Sequence, residues 1–431
     1  MSVFSLSNLK KTWYYLQKNG IRNAVWAVLE RIGQEQEVYT WQEPDERTLS
    51  FQREHSASLR ISIVVPAYRT KKEHLEAMLN SVSKQSYPHW ELIVADAGGT
   101  AESVQAWAKK NGICLRKAAD ASNLAEWMDQ SIMLCTLSEN KGISANTNAG
   151  IELAAGDAVG LLDHDDLLTA NALWEMADCL EKEKKRGKQK LVLFSDEDKC
   201  DKAASRFYEP NFKPDFDGEL LLTNNYICHF TVIETAFLKE LKLRSGFDGA
   251  QDYDLVLRAY AAGGQFVHVP KVLYHWRCHE ASTASNPQSK RYAYEAGQRA
   301  LEDYCLRKGW KATVSGLKHL GFYREDYEDS VFCQRPEIGI WAKPLPGGRD
   351  VFGIRHPKGF LVSGLYENDG SMRYAGLRKG YSGPMHRAAL QQSAPAADLR
   401  SMEVCSALKE RYAQTICLLY TSDAADDRIS V

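Results

Sequence analysis

A chain of 431 residues with 44% hydrophobic and 26% charged side chains has room for two domains, or one large domain with extensions, and has an ordinary globular composition. Its net charge of −2 leaves no excess of cations to neutralise phosphates, which excludes a general nucleic-acid binder. The ten cysteines include no Cys-x-x-Cys pair and read as reduced thiols. With no signal peptide and no stretch of transmembrane length, a cytoplasmic protein is expected.

Residues 5–32 read as two short helices that mix Lys10, Lys11, Lys18, Arg22 and Arg31 with Trp13, Tyr14, Tyr15 and Trp26. Such a basic, aromatic arm either lies on an anionic membrane at its inner face or packs on its own domain. A polar linker completes residues 1–58. An α/β rhythm then begins. Ile61-Ser62-Ile63-Val64-Val65 is a β-branched strand closed by Pro66. Leu75, Met78, Leu79 and Val82 fall at helical spacing. Leu92-Ile93-Val94-Ala95 is a strand turning at Asp96-Ala97-Gly98-Gly99, and Leu191-Val192-Leu193-Phe194 is another, ending in Ser195-Asp196-Glu197-Asp198. Strands alternating with helices predict a largely parallel sheet covered on both faces, with ligands outside the carboxyl ends of the strands.

Between these lies Ala158-Val159-Gly160-Leu161-Leu162, followed directly by Asp163-His164-Asp165-Asp166. Residues two apart in an extended chain point the same way, so Asp163 and Asp165 can face one ligand. Neighbouring carboxylates repel unless a cation or proton sits between them, and a hard ion such as Mg²⁺ or Mn²⁺ carrying a diphosphate fits. The rival reading is that these acids cap the next helix; Asp166 is assigned to the helix side. Further on, Gln251-Asp252-Tyr253-Asp254 opens a helical run, and Tyr274-His275-Trp276-Arg277-Cys278-His279 follows. A helix over 294–308 and a strand near Ala312-Thr313-Val314 are expected to finish a domain spanning 59–325.

The ordered set of residues 61–68, Asp96, Asn140-Lys141-Gly142-Ile143-Ser144, Asp163-His164-Asp165-Asp166, Gln251-Asp252-Tyr253-Asp254 and His275-Trp276-Arg277 resembles family 2 glycosyltransferases. The rhamnosyltransferase-like members that build bacterial surface polysaccharides are the best match. The resemblance implies a Rossmann-like α/β/α nucleotide-diphospho-sugar transferase fold and an inverting, metal-dependent transfer. The donor would be a nucleoside-diphosphate sugar and the acceptor a glycan or lipid-linked oligosaccharide. It places Pro66, Ala67, Tyr68 and Asp96 against the nucleotide, with Lys141 and Gly142 in a loop closing over it. Turn chemistry is the alternative for Asp96, and an exposed turn lysine for Lys141. Asp163 and Asp165 would hold the metal, Mn²⁺ or Mg²⁺. His275 would complete its shell, with His279 as a second candidate, while Arg277 would grip a phosphate. Asp252 would be the general base, in a motif where the family often has Glu at the position of Gln251. Asn211-Phe212-Lys213-Pro214-Asp215 and Asn225-Tyr226-Ile227-Cys228-His229 resemble acceptor-side stretches and read equally as core; Ser282 and Thr283 are assigned to an acceptor-side loop.

Residues 326–416, with Tyr374-Ala375-Gly376 and Gly383-Pro384-Met385-His386, resemble the middle of a second transferase module lacking its own nucleotide motifs. They are expected to be non-catalytic. Residues 417–431 resemble a translated sequencing adapter. Two readings compete with the transferase: a sugar-phosphate nucleotidyltransferase, against which the first strand lacks a Gly-rich signature loop, and an inactive sugar-nucleotide-binding scaffold, against which the acids stand intact.

Overall fold

The computed structural model describes residues 39–118, 127–278, 291–316, 320–327, 361–366 and 372–378. The arm at 5–32, His279, Ser282, Thr283, most of 326–416 and all of 417–431 lie outside them. Residues Tyr39–Asp326 form one compact unit. A two-stranded antiparallel hairpin, Leu361–Tyr366 with Met372–Arg378, belongs to another.

The large unit is built on a mixed sheet whose strands are β1 (Ile61–Ala67), β2 (Trp90–Asp96), β3 (Cys114–Lys117), β4 (Ser131–Thr136), β5 (Ala158–Leu161), β6 (Leu167–Leu168), β7 (Leu191–Cys200), β8 (Phe207–Asn211), β9 (Thr231–Glu234) and β10 (Gln265–Arg277). Their spatial order is β3-β4-β2-β1-β5-β9-β7-β10-β6, with β8 beside β7. β1 to β5 pair in parallel, as do β7 and β10. β9 runs antiparallel between β5 and β7.

Alternation along the strands divides the core. Ile61, Ile63 and Val65 of β1, Leu92 and Val94 of β2, and Leu191 and Leu193 of β7 join one cluster with Leu75, Met78, Val104, Trp107, Leu173 and Met176. Val64, Ile93, Val192 and Ile233 join the other with Ile151, Phe237, Leu238 and Leu255. The first cluster is covered by helices Lys72–Ser83, Ala101–Asn111 and Ala172–Lys185, the second by Ile143–Leu153, Thr235–Leu241 and Gln251–Ala261. This is the three-layer α/β/α arrangement that the sequence rhythm predicts. Each fully buried aliphatic side chain contributes roughly 1.5–3 kcal/mol to holding the layers together.

Three local features differ from the sequence reading. β7 does not stop at Phe194; it continues through Asp196, Glu197 and Asp198 to Cys200. The acids can stay in the sheet because each finds a buried partner. Residues 39–58, read as part of an arm and linker, contain helix Glu46–Glu54, capped by Asp45, whose Oδ1 accepts from the Thr48 N–H at 2.8 Å. That helix buries Leu49 and Gln52, and Gln52 Oε1 accepts from the Ser86 hydroxyl at 2.7 Å. The reversed β9 brings its first residues to the edge where β5 ends, pairing Thr231 with Leu161. Gly160 makes this close pairing sterically feasible, since a Cβ there would lie 2.8 Å from Phe230.

Candidate active site

The carboxyl edge of the sheet gathers the functional side chains. Ala67 ends β1 level with Asp96 at the end of β2. Leu162 donates to Val64 O at 3.2 Å, which brings the chain into Asp163 beside β1. β9 starts at the same edge, so His229 comes in from the other side. Burial holds the Asp163 carboxyl above its ordinary range; the charges of Asp165 and Asp252 push it further and His229 and His164 pull it back. Asp163, His164, Asp165, His229 and Asp252 therefore share one electrostatic neighbourhood. Asp252 stands in the first turn of helix Gln251–Ala261, where Asn225 Nδ2 donates to its Oδ2 at 2.9 Å.

The turn after β5 is fixed from behind. Asp166 is buried and accepts from the Tyr274 hydroxyl and from the Arg277 N–H at 2.7 Å. Burial, reinforced by Asp165 and Asp163, drives its carboxyl well above the usual range, and burial together with Asp166 keeps the Tyr274 hydroxyl protonated as a donor. Arg277 donates from Nε to Asp165 O at 2.6 Å and from Nη1 to Lys202 O at 2.6 Å. Its guanidinium thus braces the backbone of the turn, and Nη2 is left buried without a hydrogen bond.

His275 is embedded between Trp41, edge-on at 5.1 Å, and Phe207 at 4.2 Å, with Nδ1 bonded to Asp198. A carboxylate only accepts, so Nδ1 carries the hydrogen and Nε2 alone remains for any cation. Among the described residues no group of three or more His, Cys, Asp or Glu side chains forms a cation site. The residues that fit a divalent ion are the mutually repelling carboxylates Asp163 and Asp165, whose chemistry calls for a hard cation.

The residues expected on the nucleotide side sit around the ends of β1 and β2. Asp96 is buried and accepts from Gly98 N at 3.0 Å, Thr100 N at 3.2 Å and Ala101 N at 2.9 Å, so it shapes the turn and the start of helix Ala101–Asn111. Pro66 and Ala67 lie opposite Ala95 and Asp96. Tyr68 is exposed, with the Arg69 guanidinium 5.0 Å from its ring. Lys141 is also exposed, its Nζ 3.2 Å from Glu139. Gly142 has φ +95°, and a Cβ there would strike Asp248, whose Oδ1 accepts from Ser144 N at 3.3 Å at the start of helix Ile143–Leu153.

Several contributors escaped the sequence reading. Lys213 Nζ is buried and donates to the carbonyls of Ile227 (2.9 Å) and His229, 3.8 Å from Glu197, and burial pushes its ammonium down. Asp198 receives the Tyr39 hydroxyl at 2.7 Å, and Asp196 meets His268 Nε2 at 2.8 Å. Both stretches read as acceptor side or core do pack at this edge, one through Lys213 and the other through Asn225 and His229. No local pattern marks Lys213 as buried, because its partners lie 14 to 16 residues away.

Residues 62–241 match glycosyl transferase family 2. The chain is 36% identical over 255 residues to the uncharacterized protein y4gI of Sinorhizobium fredii, covering 58% of this chain and 26% of that protein. It is 34% identical over 256 residues to the O-antigen biosynthesis protein RfbC of Myxococcus xanthus, covering 59% and 19%. With the amylovoran biosynthesis glycosyltransferase AmsB of Erwinia amylovora, identity is 27% over 231 residues, covering 50% and 70%. The chain thus spans about a quarter or less of the length of the first two relatives. Among solved structures, S. aureus TarS 1-349 in complex with UDP-GlcNAc is similar at a TM-score of 0.43 and 20% identity, covering 57% of this chain and 67% of that one. The match to the family ends at residue 241, so Asp252 and His275 lie beyond the matched span.

Proposed function

We propose that the protein is an inverting, metal-dependent glycosyltransferase that moves a sugar from a nucleoside diphosphate to a glycan or lipid-linked acceptor in cell-surface polysaccharide biosynthesis. The observation that carries this reading is the shared neighbourhood of Asp163, Asp165 and Asp252 at the carboxyl edge of the sheet. The family match supports the reaction class, and the naming of a relative for O-antigen biosynthesis supports the product class.

Asp252 takes the proton of the acceptor hydroxyl while that oxygen forms a bond to the anomeric carbon. The bond from that carbon to the diphosphate breaks in the same displacement, which inverts the centre. A divalent cation held by Asp163 and Asp165 would neutralise the departing diphosphate. Arg277 and Tyr274 keep the turn that carries both carboxylates in place, and Lys213 holds the carbonyls beside His229. Pro66, Ala67 and Tyr68 line the nucleotide side, where Asp96 shapes the floor through the turn it caps; Lys141 and Gly142 border it. The aromatic, basic arm at 5–32 would attach the chain to the inner face of the membrane, where a lipid-linked acceptor lies.

The test is release of nucleoside diphosphate from UDP-glucose, UDP-galactose, UDP-N-acetylglucosamine and dTDP-rhamnose, with Mn²⁺ or with EDTA. Metal-dependent turnover of one donor is expected, with Asp252→Asn lowering it by about 10²–10⁴-fold. Full activity of Asp252→Asn, or activity indifferent to EDTA, overturns the reading.

A further inference from the structure

Asp252 does not stand alone at the start of its helix. Asn225 comes from the connection between helix Gly218–Thr223 and β9, 27 residues earlier, and its Nδ2 meets Asp252 Oδ2 at 2.9 Å. Both partners are held rigidly. The Tyr253 hydroxyl, next to Asp252, donates to Leu221 O at 2.6 Å and ties its helix to Gly218–Thr223. On the other side of Asn225 the buried Tyr226 accepts from Asp217 N at 2.7 Å and packs edge-on against Phe194 at 5.9 Å. Asn224 forms a β-bridge with Phe322. The spacing between the amide and the carboxylate is therefore set by buried tyrosines and backbone, not by two free side chains.

The amide has one workable orientation. Turning it over would set Asn225 Oδ1 against an ionised carboxylate, oxygen to oxygen, so Nδ2 faces Asp252. Asn225 Oδ1 is buried without a hydrogen bond, while the Asn225 side chain also bonds the Cys228 sulfur beside the carboxylate. Cys228 faces the same carboxylate, and burial together with the Asp252 charge holds its thiol well above its usual range, so it adds no negative charge.

We infer that Asn225 is the positioning residue of the base: it occupies Asp252 Oδ2 and leaves Oδ1 as the oxygen presented to the acceptor hydroxyl. This rests on the reading of Asp252 as base. It makes a statement that reading does not: the donor hydrogen of Asn225, and not its volume, sets the rate of transfer.

The test uses the full chain with Mn²⁺ and the four nucleotide sugars above, following nucleoside diphosphate release and the melting midpoint of each variant. Asn225→Asp is isosteric but replaces the donor by a second acceptor; Asn225→Ala removes both shape and donor. Each is expected to lower kcat by about 10–100-fold, the range for a misaligned catalytic group, with the KM for the donor within about twofold of the parent. On an Asp252→Asn background Asn225→Ala is expected to cost nothing further, because its effect runs through the carboxylate.

Parental kcat in Asn225→Asp overturns the inference, as does an equal loss from Asn225→Ala with and without Asp252. A loss that vanishes when rates are expressed per folded molecule overturns it too. If Asp252→Asn itself retains parental kcat, or if the parent turns over none of the donors, the underlying reading fails and takes the inference with it. An impaired Asp252→Asn beside a fully active Asn225→Ala sinks the inference alone.

Discussion

Two acidic runs on this sheet look alike in sequence and are built in opposite ways. Asp196, Glu197 and Asp198 stay inside β7, and each is answered from within the fold. Asp196 meets His268 and the Lys213 N–H, Glu197 meets Asn211 and the His229 N–H, and Asp198 meets Tyr39 and His275. The turn after β5 is different. Asp163 lies half-buried in the field of Asp165 and Asp252, and its carboxyl lies above the ordinary range despite two nearby imidazoles. Where the fold supplies partners for its acids they shape structure; where it crowds one acid with others it leaves a repulsion that the proposed cation would relieve.

The sharpest way to break this contrast is to neutralise Asp163. Asp163→Asn is expected to lower donor turnover by about 10²–10³-fold, the scale of losing one group that stabilises developing charge. Stability is expected to move the other way. The folded-state pKa of Asp163 lies above the unfolded value near 3.8, so the folded chain holds a proton that the unfolded chain releases. Stability therefore falls as pH rises from about the unfolded pKa through the folded one, and the penalty is complete above it. Asp163→Asn should match the parent in melting midpoint at low pH and exceed it at neutral pH, and Mn²⁺ should raise the parent's midpoint more than the variant's. A variant less stable than the parent at neutral pH would mean the turn is balanced after all.

The opposite result is expected in β7. Asp198→Ala leaves the Tyr39 hydroxyl and the His275 Nδ1–H without their buried acceptor. Each stranded donor costs about 1–3 kcal/mol, read by urea denaturation. Donor affinity should change little, because neither donor belongs to the nucleotide side. A stability loss under about 0.5 kcal/mol would show that these acids are as loosely held as Asp163.

How far the sequence reveals this difference depends on the distance between partners. The strands and their covering helices are legible because their signal is local: β-branched runs in Ile61-Ser62-Ile63-Val64-Val65, and Leu75, Met78, Leu79 and Val82 at helical spacing. The continuation of β7 is not, since the partners that let Asp196, Glu197 and Asp198 remain in a strand arrive from Tyr39, Lys213, His268 and His275, up to 159 residues away. Arg277 illustrates the same limit. Its chemistry suits a phosphate, yet its backbone N–H and Nε bond into a turn more than a hundred residues earlier, and Nη1 bonds Lys202 O. Asp96 is the converse case, because turn chemistry before Gly98-Gly99 could be read locally and its carboxylate does accept three backbone N–H groups there. The motif order located the edge of the sheet; which acids are matched depended on the fold.

The smallest expected effect tests the rim of the site. Lys141 has a side chain 64% exposed and paired only with the equally exposed Glu139, an arrangement worth little to folding. Its neighbour Gly142 fixes the loop instead, through a positive φ and the close approach of Asp248. Lys141→Ala is thus expected to leave stability within about 0.5 kcal/mol of the parent. If the ammonium closes over the diphosphate, the same variant raises the KM for the donor several-fold while kcat holds, since uniform binding is lost without touching the transfer step. A KM that does not move, with stability also unchanged, assigns Lys141 to solvent and leaves donor binding to the nucleotide-side residues and the acids of the turn.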